Sequence, residues 1–237
     1  MTDFYSRLAK YYDQMYSFID YQGHSSKLHT IIQQHKKSSG NTLLDVGCGT
    51  GTHILHLMDK YQATGLDLSK DMLEVAHEKC GSIDFIQGNM VTMNLGRSFD
   101  VVTCLFGSIG YLTTHEDLAK TINAFSKHLV SGGVAIIEPL FTLETARGGS
   151  MGILCLDLPE IKIARTNVSR KEGNLVFLDF HFLISTKENG TQHFVDPSPM
   201  GAFSKATYLE LMQESGLSAS FIEPGLTKDC LFIGVKN

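Results

Sequence analysis

Leu43-Leu44-Asp45-Val46-Gly47-Cys48-Gly49-Thr50-Gly51 reads as a short buried strand that turns through three alternating glycines into a helix beginning near Thr52. Lacking a Cβ, these glycines allow tight dihedrals and let a ligand lie almost against the backbone, which makes the stretch a candidate cofactor-binding turn. The spacing is D-x-G-x-G-x-G. The G-x-G-x-x-G of dinucleotide-binding folds fails here, because Thr52 stands where its last glycine is needed. Gly65-Leu66-Asp67-Leu68-Ser69 follows, with an acidic residue closing a second strand. A carboxylate about twenty residues beyond the first glycine can accept both hydroxyls of a ribose.

Composition bounds the rest. A chain of 237 residues can be one α/β domain with an insertion. With 19% charged and 43% hydrophobic residues and no apolar run of roughly eighteen, no membrane association is expected. Met1-Thr2-Asp3-Phe4 lacks the basic-then-apolar pattern of a signal peptide, which points to the cytoplasm. Cys48, Cys80, Cys104, Cys155 and Cys230 form no C-x-x-C pair and read as free thiols. A net charge of -5 with no long basic tract leaves no footprint for nucleic acid. His53-x-x-His56 has no third ligand and reads as a solvated helix face, so no metal is expected.

Strand and helix patterns alternate along the first part of the chain. Phe4, Leu8, Tyr11, Tyr12, Met15 and Ile19 recur at helical spacing, and a second helix runs from about Ser25 to His35. After the glycine turn, Ile54, Leu55, Leu57 and Met58 give a helix an apolar side. Strand two spans 63–66, then Ser69 caps a helix that Gly81 stops. Strands at 83–86, 99–106 and 134–138 follow, with a helix between the last two that Thr114 caps and Ser131-Gly132-Gly133 ends. This is a doubly wound parallel sheet, whose ligands sit beyond the carboxyl ends of the strands, where Gly47, Asp67, Asn89 and Phe106 fall. From Pro139 to Phe203 the helical period gives way to alternation, as in Leu178, Phe180, Phe182 and Ile184. That antiparallel insertion is either a substrate wall or a dimer surface. A helix from 204 to 215 and two strands around Pro224-Gly225 close the chain. The organisation is one domain: a helical lid over 1–40, a cofactor-binding core over 41–138, the β insertion over 139–203, and a closing helix and hairpin over 204–237.

The two glycine and acid stretches together resemble motifs I and II of class I methyltransferases that use S-adenosylmethionine. Tyr12-Asp13-x-x-Tyr16 resembles the Y-D-x-x-Y segment that folds over the cofactor in a small-molecule subfamily. Residues 43–53, Val102 to Gly110, Glu138-Pro139 and Leu231 to Val235 together are similar to the N,N-dimethyltransferases that finish nucleotide-linked amino sugars. The resemblance implies a Rossmann-like sheet with a terminal reversed hairpin and an added antiparallel layer used for dimerisation. It also implies S-adenosyl-L-methionine as cofactor and methyl transfer to a small molecule, an amine foremost. Three positions depart from that family. Its His near the acceptor amine is Tyr111 here, its tryptophan-rich stretch is Leu140-Phe141-Thr142, and Asp229 beside Lys228 stands where it has an arginine expected to meet a nucleotide phosphate.

The candidate cofactor-binding residues are Tyr12, Asp45, Gly47, Gly49, Asp67, Met72, Asn89, Met90 and Phe106. Asn89 stands where the family commonly has an Asp that accepts from the adenine amino group, which an amide oxygen can also do. Tyr16 and Tyr111 are the candidate catalytic residues, with orientation of the amine as their preferred role, because an unperturbed phenol titrates near 10. The expected partners are a small-molecule acceptor and a second copy of the chain through the β insertion. Two other readings are a small-molecule O-methyltransferase and a non-catalytic module that only binds S-adenosylmethionine.

Overall fold

A computed structural model of the chain describes residues 3–237. Its centre is a seven-stranded sheet ordered β13-β14-β5-β4-β1-β2-β3. The parallel strands are β1 (Thr42–Val46), β2 (Gln62–Asp67), β3 (Asp84–Gln87), β4 (Phe99–Cys104) and β5 (Leu129–Ile137). The antiparallel closing pair is β13 (Leu217–Ile222) and β14 (Leu231–Lys236), with β14 beside β5. Strand order reverses at β1, which pairs β2 on one side and β4 on the other. The crevice beyond the carboxyl ends of these three strands is therefore the natural ligand site.

Neighbouring side chains of a strand point to opposite faces, and both faces of this sheet are covered, so its strands are apolar at successive positions. Leu44, Val102, Ala135 and Phe232 pack under α6 (His115–Lys127) and α7 (Lys205–Glu214). Leu43, Val101, Val134 and Ile233 pack under α3 (Tyr21–His35) and α5 (Lys70–Cys80). The expected caps are present: Ser69 accepts from the Met72 N–H at 3.3 Å, and Thr114 from the Asp117 N–H at 3.1 Å. Asp100 is structural, its carboxylate accepting from the Thr42 N–H at 3.0 Å and hydroxyl at 2.7 Å. Among the described residues no helix is long and apolar enough to cross a membrane.

Four elements differ from the expectation. The amphipathic helix expected from Phe4 to Ile19 is broken into α1 (Asp3–Arg7), a 3-10 turn (Ala9–Tyr11) and α2 (Tyr12–Met15). Breaking it gives the segment two working faces, since Phe4, Leu8 and Met15 bury against the insertion while Tyr5, Tyr12 and Tyr16 turn toward the crevice. The helix after the glycine turn, α4 (Thr52–Leu55), stops a residue short of His56, and the chain runs on in turns to Tyr61. No helix joins β3 to β4. β5 begins at Leu129, ahead of its expected start, and carries the glycine pair through an irregular register.

The insertion forms two sheets. The larger is ordered β11-β10-β7-β6, from β6 (Met151–Asp157), β7 (Ile161–Val168), β10 (Phe180–Thr186) and β11 (Gly190–Asp196). The smaller is β12-β9-β8, from β8 (Arg170–Glu172), β9 (Leu175–Phe177) and β12 (Pro199–Gly201). On the larger sheet Leu154, Ile161, Ile163 and Phe182 are buried against Phe4, Leu8 and Met15, which fixes the N-terminal segment over the crevice.

Candidate active site

β1 delivers the glycine turn to the crevice, and Gly47 enters it with φ 71°, a left-handed conformation that favours glycine. The Gly47 N–H donates to the Leu66 carbonyl at 2.7 Å, and its own carbonyl accepts from the Ser108 hydroxyl at 3.1 Å. The turn is thus clamped between β2 and the segment after β4. Asp67, at the end of β2, accepts from the Gly49 N–H at 2.8 Å through one oxygen and from the Ser69 N–H at 2.8 Å through the other. A carboxylate has about four lone-pair sites, so capacity remains for a ligand. Burial raises the Asp67 carboxyl above its ordinary range, and these N–H donors oppose the shift. Asp45, deeper and wholly enclosed, is pushed up to about 7 by burial, although the Thr103 hydroxyl donates to it at 2.7 Å.

The N-terminal segment is fastened to the turn by Asp13. One carboxylate oxygen accepts from the Thr50 hydroxyl at 2.6 Å and the Thr52 hydroxyl at 3.1 Å, and the other pairs with Lys79 of α5. Behind this latch an aromatic cage encloses the space. Tyr12 and Tyr16 lie 4.6 Å apart by ring centroids, and the Phe106 edge meets Tyr16 at 5.7 Å. The hydroxyls of Tyr5 and Tyr111 share a hydrogen bond of 2.6 Å. Phe106 is the one non-glycine residue with positive φ, 52°, among the described residues. Its N–H donates to Glu138 Oε2 at 3.1 Å, and Glu138 Oε1 accepts from the Thr227 N–H at 2.9 Å and hydroxyl at 3.0 Å.

These parts enclose a cavity of about 980 Å³. Of the residues singled out from sequence, Tyr12, Tyr16, Asp45, Gly47, Gly49, Asp67, Met72, Met90, Phe106 and Tyr111 line it. Asn89 does not. It is exposed, and its amide oxygen accepts from the Val91 N–H at 2.9 Å, capping the turn that follows β3. His53 corrects another expectation, being buried against Tyr21 at 5.0 Å rather than solvated, with burial lowering its imidazole to about 3. Asp229 does not line the cavity and accepts from the Thr142 N–H at 3.2 Å, the Thr145 hydroxyl and the Cys230 N–H at 2.8 Å. Sequence reading missed Tyr5, Tyr21, Arg165 and Asp196 in the wall. Arg165 left a readable trace: in Ile161-Lys162-Ile163-Ala164-Arg165 the cation falls in the alternation of the two buried isoleucines.

The residues present fit S-adenosylmethionine. The glycine turn leaves room for a ligand against the backbone, the Asp67 carboxylate keeps acceptor capacity for hydroxyl groups, and Met72 and Met90 offer apolar surface beside it. Replacing Asp67 by Ala removes charge-assisted hydrogen bonds of roughly 1.5–3 kcal/mol, so titration calorimetry should show cofactor affinity about tenfold weaker or worse. Unchanged affinity in a folded variant would remove Asp67 from the ribose.

Comparison with known proteins agrees with this geometry. Residues 43–133 match the family model described as a methyltransferase domain. The chain is 34% identical to dTDP-3-amino-3,4,6-trideoxy-alpha-D-glucopyranose N,N-dimethyltransferase of Streptomyces venezuelae over 91% of each chain. The crystal structure of Streptomyces venezuelae DesVI superposes with a TM-score of 0.88 at 33% identity, covering 97% of this chain and 98% of that one. The S-adenosylmethionine-bound amino pentose methyltransferase CalS10 from Micromonospora echinaspora gives 0.82 at 26% identity over 92% of both. The chain accordingly belongs to the class I S-adenosylmethionine-dependent methyltransferases, in the family of the sugar N,N-dimethyltransferases.

Proposed function

We propose that this enzyme methylates the amine of an amino sugar, with the acceptor held in the cage of Tyr5, Tyr16, Phe106 and Tyr111. The observation that carries this reading is a cavity that joins the glycine turn and Asp67 on one side to a wall of phenols on the other. S-adenosylmethionine supplies an already activated sulfonium methyl, so the chain has chiefly to position two molecules, a contribution of several kcal/mol. The glycine turn, Asp67 and the latched lid hold one ligand, while Tyr16 and Tyr111 present hydroxyls to the amine of the other. Burial pushes the Tyr111 phenol up to about 12, although 36% of its side chain stays accessible, and it also raises Tyr5 and Tyr12. Phenols shifted this way are poor proton acceptors near neutrality and good orienting groups, so the amine arrives already deprotonated.

A single hydrogen bond is worth on the order of 1 kcal/mol, so Tyr111→Phe should lower turnover by about tenfold and leave cofactor affinity unchanged. The acidic limb of its pH profile should stay in place and move only when the acceptor amine is changed. A loss of about a thousandfold would make the phenol an obligatory base and contradict the orienting role.

The outer face of the four-stranded sheet carries Met151, Ile153, Val168 and Leu183, with Ile153 78% exposed. We assign this face to a homodimer, since a sheet that buries its inner face on the lid leaves an apolar row for a second copy. Ile153→Asp should convert the protein to monomer in sedimentation. A wild-type monomer at micromolar concentration would overturn the assignment.

The reaction itself is tested by turnover with labelled cofactor against amino sugars, their nucleotide-linked forms, simple amines and matched alcohols. Transfer to amino sugars supports the reading. Transfer to alcohols alone, or cofactor binding with no transfer to any of them, contradicts it.

A further inference from the structure

A hydrogen-bonded chain runs from the phenols of the cavity wall to a buried carboxylate. Asp196, wholly buried at the end of β11, accepts from the Phe4 N–H at 3.1 Å through Oδ1 and from the Ser198 hydroxyl at 3.1 Å through Oδ2. Residues 196–198 lead into β12, which packs beside the 3-10 turn (Ser108–Tyr111) that presents Tyr111. Burial foremost, with the Asp196 charge adding to it, raises the Tyr111 phenol, while hydrogen bonds with Tyr5 and Ser198 oppose the shift. The Tyr5 and Tyr111 hydroxyls are 2.6 Å apart. From the cavity inward the order is therefore Tyr5, Tyr111, Ser198, Asp196.

The carboxylate at the inner end fixes the direction of every proton along the chain. A hydroxyl has one proton to give, and a carboxylate is the stronger acceptor, so the Ser198 proton goes to Asp196. Ser198 Oγ then accepts from Tyr111, and its own donation to the carboxylate strengthens it as an acceptor. With the Tyr111 proton turned to Ser198 and the Tyr5 proton turned to Tyr111, one lone pair of the Tyr111 oxygen remains for the cavity. That polarity matters for methyl transfer. The nitrogen lone pair must form the new N–C bond while the C–S electron pair returns to sulfur, and a phenol donating to the amine would occupy that lone pair. A phenol that accepts an N–H from the amine leaves the lone pair free for the methyl. We propose that Asp196 and Ser198 are positioning residues that hold the Tyr111 hydroxyl as a hydrogen-bond acceptor toward the amine. The inference rests on the proposed amine-methylating site and deepens it by giving its orienting phenol a direction.

The test has a spectroscopic arm that needs no turnover, so its failure is distinct from failure of the amine reading. A fluorine-substituted tyrosine, which titrates nearer neutrality, is placed at position 111 and followed by fluorine-19 nuclear magnetic resonance. Asp196→Asn should lower its titration midpoint by about one pH unit or more, because a neighbouring negative charge is lost, whereas Ser198→Ala should raise it, because the phenolate loses a donor. The kinetic arm uses Ser198→Ala, which cuts the chain but leaves Asp196 on the Phe4 N–H. The freed Tyr111 proton then competes for the nitrogen lone pair and holds the amine unproductively, so kcat and KM for the amine should fall together by about fivefold, the effect of one hydrogen bond. In a Tyr111→Phe background the same substitution should change neither constant. The proposal is overturned if both variants leave the fluorine midpoint unmoved, or if Ser198→Ala costs the same factor with and without the Tyr111 hydroxyl, which would make the pair a support for the backbone alone. If no amine is turned over by wild type, the amine reading fails and takes this proposal with it, whatever the fluorine midpoints show.

Discussion

Gly47→Val should abolish measurable cofactor binding, a loss of about a hundredfold or more. Two effects combine at this position. A left-handed backbone costs an L-residue roughly 1–2 kcal/mol, and more when the side chain is β-branched. In addition, a Cβ there would stand 2.7 Å from Ser108 Cβ and 2.8 Å from its hydroxyl, so the turn would have to leave the clamp that Ser108 and Leu66 impose. Movement of that turn also frees the Gly49 N–H from Asp67, disturbing both motifs at once. Gly81→Ala is the matched control, since Gly81 also has positive φ, 64°, but a Cβ there meets nothing within 4 Å. It should lose a little stability and no affinity. Equal affinity in Gly47→Val and wild type would show that ligand does not approach this turn.

Glu138→Ala should cause the largest stability loss of any substitution considered. The carboxylate accepts from two backbone N–H groups and one hydroxyl, and it is 2% exposed, so its removal leaves part-buried donors without partners at about 1–3 kcal/mol each. A total on the order of 3–5 kcal/mol corresponds to a fall in Tm of roughly 6–20 °C for a domain of this size. Phe106 would also be released from its strained dihedral and take its ring out of the cage, so turnover should fall more than affinity for cofactor. Glu138→Gln keeps one acceptor and should lie between. A Tm unchanged in calorimetry would mean that Phe106 is held by something other than this carboxylate.

What could be read in the chain divides by the range of the interaction. The glycine turn, the Ser69 and Thr114 caps and the strands β1 to β3 can be read from local patterns and are found close to where those patterns place them. The pieces that were not legible depend on distant partners. Glu138 acts through residues 106 and 227, Asp13 through 50, 52 and 79, and Asp196 accepts from the N–H of Phe4. The N-terminal apolar spacing fits one helix, and only the two surfaces it must satisfy, insertion and cavity, explain why it breaks. Asn89, which the resemblance assigns to the adenine, lies outside the cavity lining, and its amide oxygen accepts from the Val91 N–H two residues on. Asp229 shows the same limit, since its partners at 142 and 145 lie far off in sequence.

The central claim, that the cavity brings an activated methyl to the nitrogen of an amino sugar, is met most directly by following a carbon-13 methyl label from S-adenosylmethionine into product. After incubation with an amino sugar and its nucleotide-linked form, nuclear magnetic resonance should show the labelled carbon bonded to nitrogen, with no signal from a methyl ether. A labelled methyl on oxygen, or label that never leaves the bound cofactor when both acceptors are present in excess, would contradict the account.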